Sequence, residues 1–189
     1  MIELLLASHS PRRRQLLGEL GYKVSFVDLD VEEKLDSPLP PEERAEALAC
    51  LKSQAYGAEL LKGQVLVAAD TVVVHCGEAM GKPRNRKEAQ GMLQRLAGDV
   101  HQVYTGVCLR NAERFVSFTE RTDVHFRQLG QAEIAYYIDH FKPYDKAGAY
   151  GIQEWIGMVA VERIEGCYYN VMGLPLSRLY KELQRLAVR

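Results

Sequence analysis

The chain has 189 residues, 47% apolar and 26% charged, with a formal net charge of −1. That balance fits a folded domain with a substantial core, excludes a disordered or fibrous chain, and gives no global field to attract a nucleic-acid polymer or an anionic membrane, so any anion site must be local. The four cysteines, Cys50, Cys76, Cys108 and Cys167, show no C-x-x-C pair or Cys/His ligand spacing, which reads as reduced, buried thiols in a cytoplasmic protein.

Ile2 to Ala7 reads as a strand; Glu3 stands where a signal peptide would be basic, and the apolar stretch is too short for one. A polar turn, Ser8-His9-Ser10, leads into a helix from Pro11 to about Leu20, with Ser10 placed to cap it, Pro11 at its first position and Gly21 closing it. Val24 to Asp28 reads as a second strand and the acidic segment to Pro41 as a loop. A long helix is expected from Pro41 to near Leu61. Val65 to Val74 is the longest apolar run and reads as a central strand pair or one bent strand around Asp70; it is far too short to span a membrane. Further on come a helix from Asn85 to Leu96, strands at Val103 to Leu109 and Phe115 to Phe126, a helix from Gln131 to His140, a strand from Met158 to Ile164, and a last helix from Leu174 to Leu186. Strand-like and helix-like patterns alternate, so the fold class is α/β.

Asp70 is the most informative residue. A carboxylate inside a β-branched apolar run stays ionised only if a cation, a metal or several hydrogen bonds replace its lost water. Lys52 is a candidate partner, because it falls within the apolar stripe of Ala45, Leu48, Ala49, Ala55 and Tyr56 rather than opposite it. Arg12, Arg13 and Arg14 crowd the start of a helix, where cations are unfavourable unless an anion offsets them, so the turn reads either as a polyphosphate cradle or as a solvated basic helix turn. Gly81-Lys82-Pro83 is not a P-loop: the glycine spacing is one residue short and no Ser or Thr follows the lysine. Lys82 on that tight turn can still reach a phosphate, although a plain hairpin turn would look the same. The carboxylates of Asp28-Leu29-Asp30-Val31-Glu32-Glu33 could join Asp70 around a hard divalent ion. The loops Tyr144 to Gln153 and Tyr169 to Pro175 carry small, aromatic and amide residues suited to approaching a nucleobase.

In order, the stretches LLLASHSPRRRQLL, VEE, ALACLKSQA, VAADTVVV, GKP, VYTGV, YDKAGAYGIQ and YYNVMGLPL resemble the Maf family of nucleoside triphosphate pyrophosphatases, from Leu4 to Leu176. The resemblance implies one domain over residues 1–189, with an elongated mixed sheet flanked by helices, two lobes and a central cleft, similar to inosine triphosphatases. It makes Asp70 the catalytic base, puts Ser8, Arg13, Lys52 and Lys82 around the phosphates, and makes Arg12, Thr71 and Gln153 the specificity positions. Glu33, or its neighbour Glu32, would join Asp70 on Mg²⁺ or Mn²⁺. The DKAGAYGIQ form resembles the branch acting on dTTP and UTP rather than on 7-methyl-GTP. A modified pyrimidine nucleotide, or a non-catalytic role as a nucleotide-binding regulator of cell division, are the other readings it leaves open. Trp155 and Ile156, apolar residues in a Gly-flanked loop, suggest either a homodimer contact or a loop folded back over the cleft.

Overall fold

In chain order, the computed structural model carries strands β1 (Glu3–Ala7), β2 (Lys23–Val27), β3 (Gln64–His75), β4 (Glu78–Met80), β5 (Val100–Arg110), β6 (Phe115–Phe126) and β7 (Val161–Glu165). Its helices are α1 (Pro11–Gly18), α2 (Pro41–Ala55), α3 (Arg86–Leu96), α4 (Gln131–Phe141), α5 (Trp155–Ala160), α6 (Tyr168–Met172) and α7 (Leu176–Ala187). The structure describes residues 2–31 and 39–187. The strands form one seven-stranded sheet in the order β2-β1-β3-β5-β6-β7, with β4 paired to β3. It is a mixed sheet: β1 runs parallel to β2 and β3, whereas β4 and β7 pair antiparallel to their neighbours. The apolar run is one strand, buried along its length apart from Gln64, Asp70 and Thr71, as a central strand covered on both faces requires.

The described residues gather into two compact units. The first takes those of Met1–Asp70, Thr105–Glu120 and Gly173–Arg189. Leu5, Ala7, Ala49, Leu66, Ala68 and Cys108 form part of its core. α1 is fastened through Leu16 and Leu17, both essentially inaccessible; burying each contributes about 2 kcal/mol. At the amino ends of the parallel strands, Glu3 lies opposite Lys23 and Gln64. Its carboxylate accepts bonds from Gln64 at 3.0 Å and Ser25 at 2.9 Å and pairs with Lys23 at 2.9 Å. The Gln64 amide first, then Lys23 and Ser25, hold its pKa down at about 2. A carboxyl so depressed stabilises the fold above the ordinary value of 4.5 and loses that contribution as pH falls towards 2. The melting temperature of Glu3→Gln is therefore expected to fall less steeply than that of the unmodified protein between those pH values. Parallel melting curves over that range would show the clamp to be inert if the two slopes coincide.

The second unit takes Thr71–Tyr104 and Arg121–Met172. Its core includes Val73, Leu93, Val124, Phe126, Tyr137 and Ile138. Several elements differ from the sequence expectation. In the first unit, α2 ends at Ala55 rather than near Leu61, because Tyr56 turns extended ahead of Gly57 and Arg110 donates to the Tyr56 carbonyl at 2.8 Å. In the second, the strand expected from Met158 starts only at Val161. Residues 155–160 are helical, with Ile156 and Ala160 buried one turn apart. Ile156 is 1% exposed and Trp155 packs on the same core, so neither is the exposed apolar residue the sequence suggested. β4 pairs with β3 through a two-residue Cys76-Gly77 turn, both residues having positive φ, and its residues Glu78-Ala79-Met80 lack the β-branched signature of a strand.

Candidate active site

Ala7, the last residue of β1, is in register with Ala68 of β3. Ser8 and the start of α1 therefore sit just past the carboxyl end of β1, beside Ala69 and Asp70 in the middle of β3, and the end of a parallel strand is where α/β sheets bind ligands. Ser10 caps α1 by accepting from the Arg13 backbone, with Pro11 in its first turn. Only one of the three adjacent arginines faces inward. Arg13 shares the buried face of α1 with Leu16 and Leu17 at three- and four-residue spacing and is 8% exposed. Its Nε donates to the Gly173 carbonyl and its Nη1 to the Ala69 carbonyl, each at 2.8 Å, and Nη1 also reaches Ser8 Oγ at 3.3 Å. Arg13 thus holds the backbone next to Asp70 as well as adding charge. Arg14 lies instead over the Phe26 ring, 4.8 Å from its centre, and is exposed, whereas Arg12 is half-buried.

Lys52 comes from the inward face of α2, one turn beyond Leu48 and Ala49, as its place in the stripe predicts. Its Nζ lies 2.6 Å from Asp70 Oδ1, with the two side chains 15% and 13% exposed. This is the cationic partner that a carboxylate so sheltered requires. A pair this sheltered gains Coulomb energy against a large desolvation cost, and losing one partner of a buried pair costs about 3–5 kcal/mol because the other charge is stranded. Ser8, Arg13, Lys52 and Asp70 are all in the first unit. Glu33 and its neighbour Glu32 lie outside the described residues. As a ligand, Asp70 is a hard oxygen donor, which suits Mg²⁺ or Mn²⁺ better than a soft ion; Oδ1 already meets Lys52, which leaves Oδ2 for an ion.

Thr71, Lys82 and Gln153 belong to the second unit. Thr71 follows Asp70 on β3 and is half-buried; Lys82 and Gln153 are exposed. The Gly148 amide donates to the Gly81 carbonyl at 3.1 Å, tying the Lys82 turn to the loop that carries Gln153. Gly148 sits at φ 69°, and a Cβ there would come within 3.1 Å of Val73, so the loop lies directly on β3. The loop is braced by residues that sequence reasoning did not single out. Lys146, 8% exposed, pairs with Asp145 at 2.7 Å and Glu154 at 3.0 Å. The Tyr137 hydroxyl donates to Glu154 and accepts the Gly151 amide, and burial first, then the Glu154 carboxylate, push its pKa up. Lys146 and Glu154 stand close to the noticed Gln153 in the chain, but nothing in the sequence joins them to Tyr137. Asn170, in the other loop proposed to meet a base, is turned into the unit: its amide donates to Val103 O at 3.0 Å and to Thr122 Oγ1 at 2.9 Å. It holds β5 and β6 rather than reading a ligand.

Residues 3–186 match the family model described as Maf-like protein. A Bacteroides fragilis protein named dTTP/UTP pyrophosphatase is 48% identical over 185 residues, 97% of this chain and 96% of that one. A Flavobacterium johnsoniae protein of the same name is 42% identical over 97% of this chain and 95% of its own length. Among solved structures, the Staphylococcus aureus Ham1 protein overlaps with a TM-score of 0.48 at 17% identity, covering 66% of this chain and 71% of that one. Identity at the level of the first two, over nearly the full length of both chains, reflects common descent rather than convergence on a fold, and the chain belongs to the Maf family.

Proposed function

We propose that this protein hydrolyses dTTP and UTP between the α- and β-phosphates, giving the nucleoside monophosphate and pyrophosphate. The observation that carries the reading is the sheltered Lys52–Asp70 pair beside the carboxyl end of β1, next to a helix start. The names of the relatives point to the same substrates. Asp70 orients a water in line with the α-phosphorus and accepts its proton as the oxygen attacks. Lys52 and Lys82 offset the negative charge gathering on the departing pyrophosphate, while Ser8 and Arg13 fix the turn that receives the phosphates. Asp70 and Glu33 are the residues to hold Mg²⁺ or Mn²⁺, and a bound ion of that kind would add charge neutralisation at the triphosphate. Arg12, Thr71 and Gln153 select the base; the Gln153 amide can satisfy the O4 and N3–H edge that uracil and thymine share.

On this reading the whole chain works as one Maf domain in the cytoplasm. No described helix is long and apolar enough to cross a membrane. The test is a side-by-side assay of dTTP, UTP, CTP, GTP, 7-methyl-GTP and ITP with pyrophosphate and orthophosphate measured separately. dTTP and UTP are expected to be turned over fastest, with one pyrophosphate released per nucleotide. A purine preference would overturn the substrate assignment, and nucleotide binding without pyrophosphate release would make the protein a sensor rather than an enzyme.

A further inference from the structure

The end of β3 carries a cluster that the pyrophosphatase reading does not use. His75 Nε2 lies 3.0 Å from Asp99 Oδ2 and 3.6 Å from Cys76 Sγ, and one donor atom from each of the three residues falls within 4.8 Å of the others. Nε2 can donate to the carboxylate or accept from the thiol but not both at once, whereas a cation would bind all three groups. For a tetrahedral ion with a metal–sulfur bond of about 2.3 Å and a metal–nitrogen bond of about 2.0 Å, the sulfur and nitrogen should stand about 3.5 Å apart. The observed 3.6 Å is close to that spacing, and the 3.0 Å from Nε2 to Asp99 Oδ2 would open by about 0.3 Å around such an ion.

The framework around the cluster is fixed. His75 is 6% exposed and in ladder register with Glu78. Asp99 is anchored by its own Oδ1, which accepts the Val100 amide at 2.7 Å, and by its carbonyl, which accepts Phe126 N at 3.0 Å. Cys76 occupies the first central position of the β3–β4 turn at φ 51°, where asparagine, aspartate or glycine is the favoured choice and other residues cost about 1 kcal/mol. The turn places the Cys76 sulfur beside His75 Nε2, 3.6 Å away.

We propose that His75, Cys76 and Asp99 bind one zinc-type divalent cation. The donor set of imidazole, thiolate and carboxylate suits a borderline ion such as Zn²⁺ and not the hard Mg²⁺ or Mn²⁺ assigned to Asp70. Asp70 lies five residues back along β3, and at about 3.3 Å per residue one ion cannot be shared between the two positions. Binding displaces the Cys76 thiol proton to solvent and leaves the fourth coordination place to water.

The test is a titration of the chelator-treated full chain with Co²⁺, followed by displacement with Zn²⁺. One equivalent of Co²⁺ is expected to raise a thiolate-to-cobalt charge-transfer absorption in the near ultraviolet, and Zn²⁺ to abolish it and raise the melting temperature. Cys76→Asn suits the turn and should melt no lower than the unmodified chain without metal. It should lose both the absorption and the Zn²⁺ shift while keeping Mg²⁺-supported pyrophosphate release. The Co²⁺ band does not depend on the pyrophosphatase reading, since no thiol is assigned to the Asp70 site. No band in the unmodified chain, or a band that survives in Cys76→Asn, overturns the proposal.

Discussion

Asp70→Asn is expected to lower kcat for pyrophosphate release by about 10³-fold, the middle of the range for losing a general base. The substitution keeps the size and shape of the side chain but removes the charge and the proton acceptor. Asp70 is the carboxylate that Lys52 pairs with, and the introduced amide would meet Lys52 Nζ where Oδ1 now lies 2.6 Å away. On the proposed mechanism nucleotide affinity rests mainly on the lysines and the α1 turn, so KM is expected to move by less than about tenfold. The melting temperature must be measured alongside, because disturbing a sheltered ion pair affects stability as well as catalysis. Turnover within about a factor of two of the unmodified protein, in a variant that folds, would remove Asp70 from the reaction.

That Asp70 could be found from sequence follows from the cost of burying charge. An uninterrupted apolar run identifies a central strand, and a carboxylate within it needs a cation; the three- and four-residue spacing of α2 then identifies Lys52, because its neighbours in the stripe are buried. Arg13 was harder to separate from Arg12 and Arg14, since adjacency carries no direction until Leu16 and Leu17 fix which face of α1 is inside. Residues whose roles depend on distant chain segments left no local signal. The brace of Lys146, Glu154 and Tyr137 is of this kind, as is Asn170 with its partners on β5 and β6. The His75, Cys76 and Asp99 cluster escaped because spacing rules look for paired cysteines or Cys and His a few residues apart. Here the hairpin supplies adjacent ligands and the turn after α3 supplies the third. Short elements failed for the opposite reason: α5 contains glycine and valine, poor helix formers, and is held helical by the burial of Ile156 and Ala160.

Gly106→Ala is expected to destabilise the protein by about 3 kcal/mol, the upper end of the usual cost of overpacking, and so to lower the melting temperature by about 10 °C. Gly106 lies within β5, and a Cβ there would come within 2.2 Å of Ala45 C and Glu46 N and 2.3 Å of Ala45 O. These are backbone atoms of α2, so no rotamer change relieves the overlap and the helix itself must move. Movement would also strain the Glu46 carboxylate, which accepts from Ser117 Oγ at 2.6 Å and Thr119 Oγ1 at 2.8 Å. Further along the same rod is Lys52, whose bond to Asp70 tolerates little displacement. The variant should therefore lose activity through Lys52 even where it remains folded, with kcat falling more than KM rises. Gly91→Ala is the matching control: Gly91 lies inside α3, where an added Cβ would meet nothing within 4 Å, and there the same change should stabilise by about 0.5–1 kcal/mol. Opposite signs for one chemical change would tie the effect to the close approach of α2 to β5. If Gly106→Ala melts with Gly91→Ala, that approach does not hold Lys52 in place.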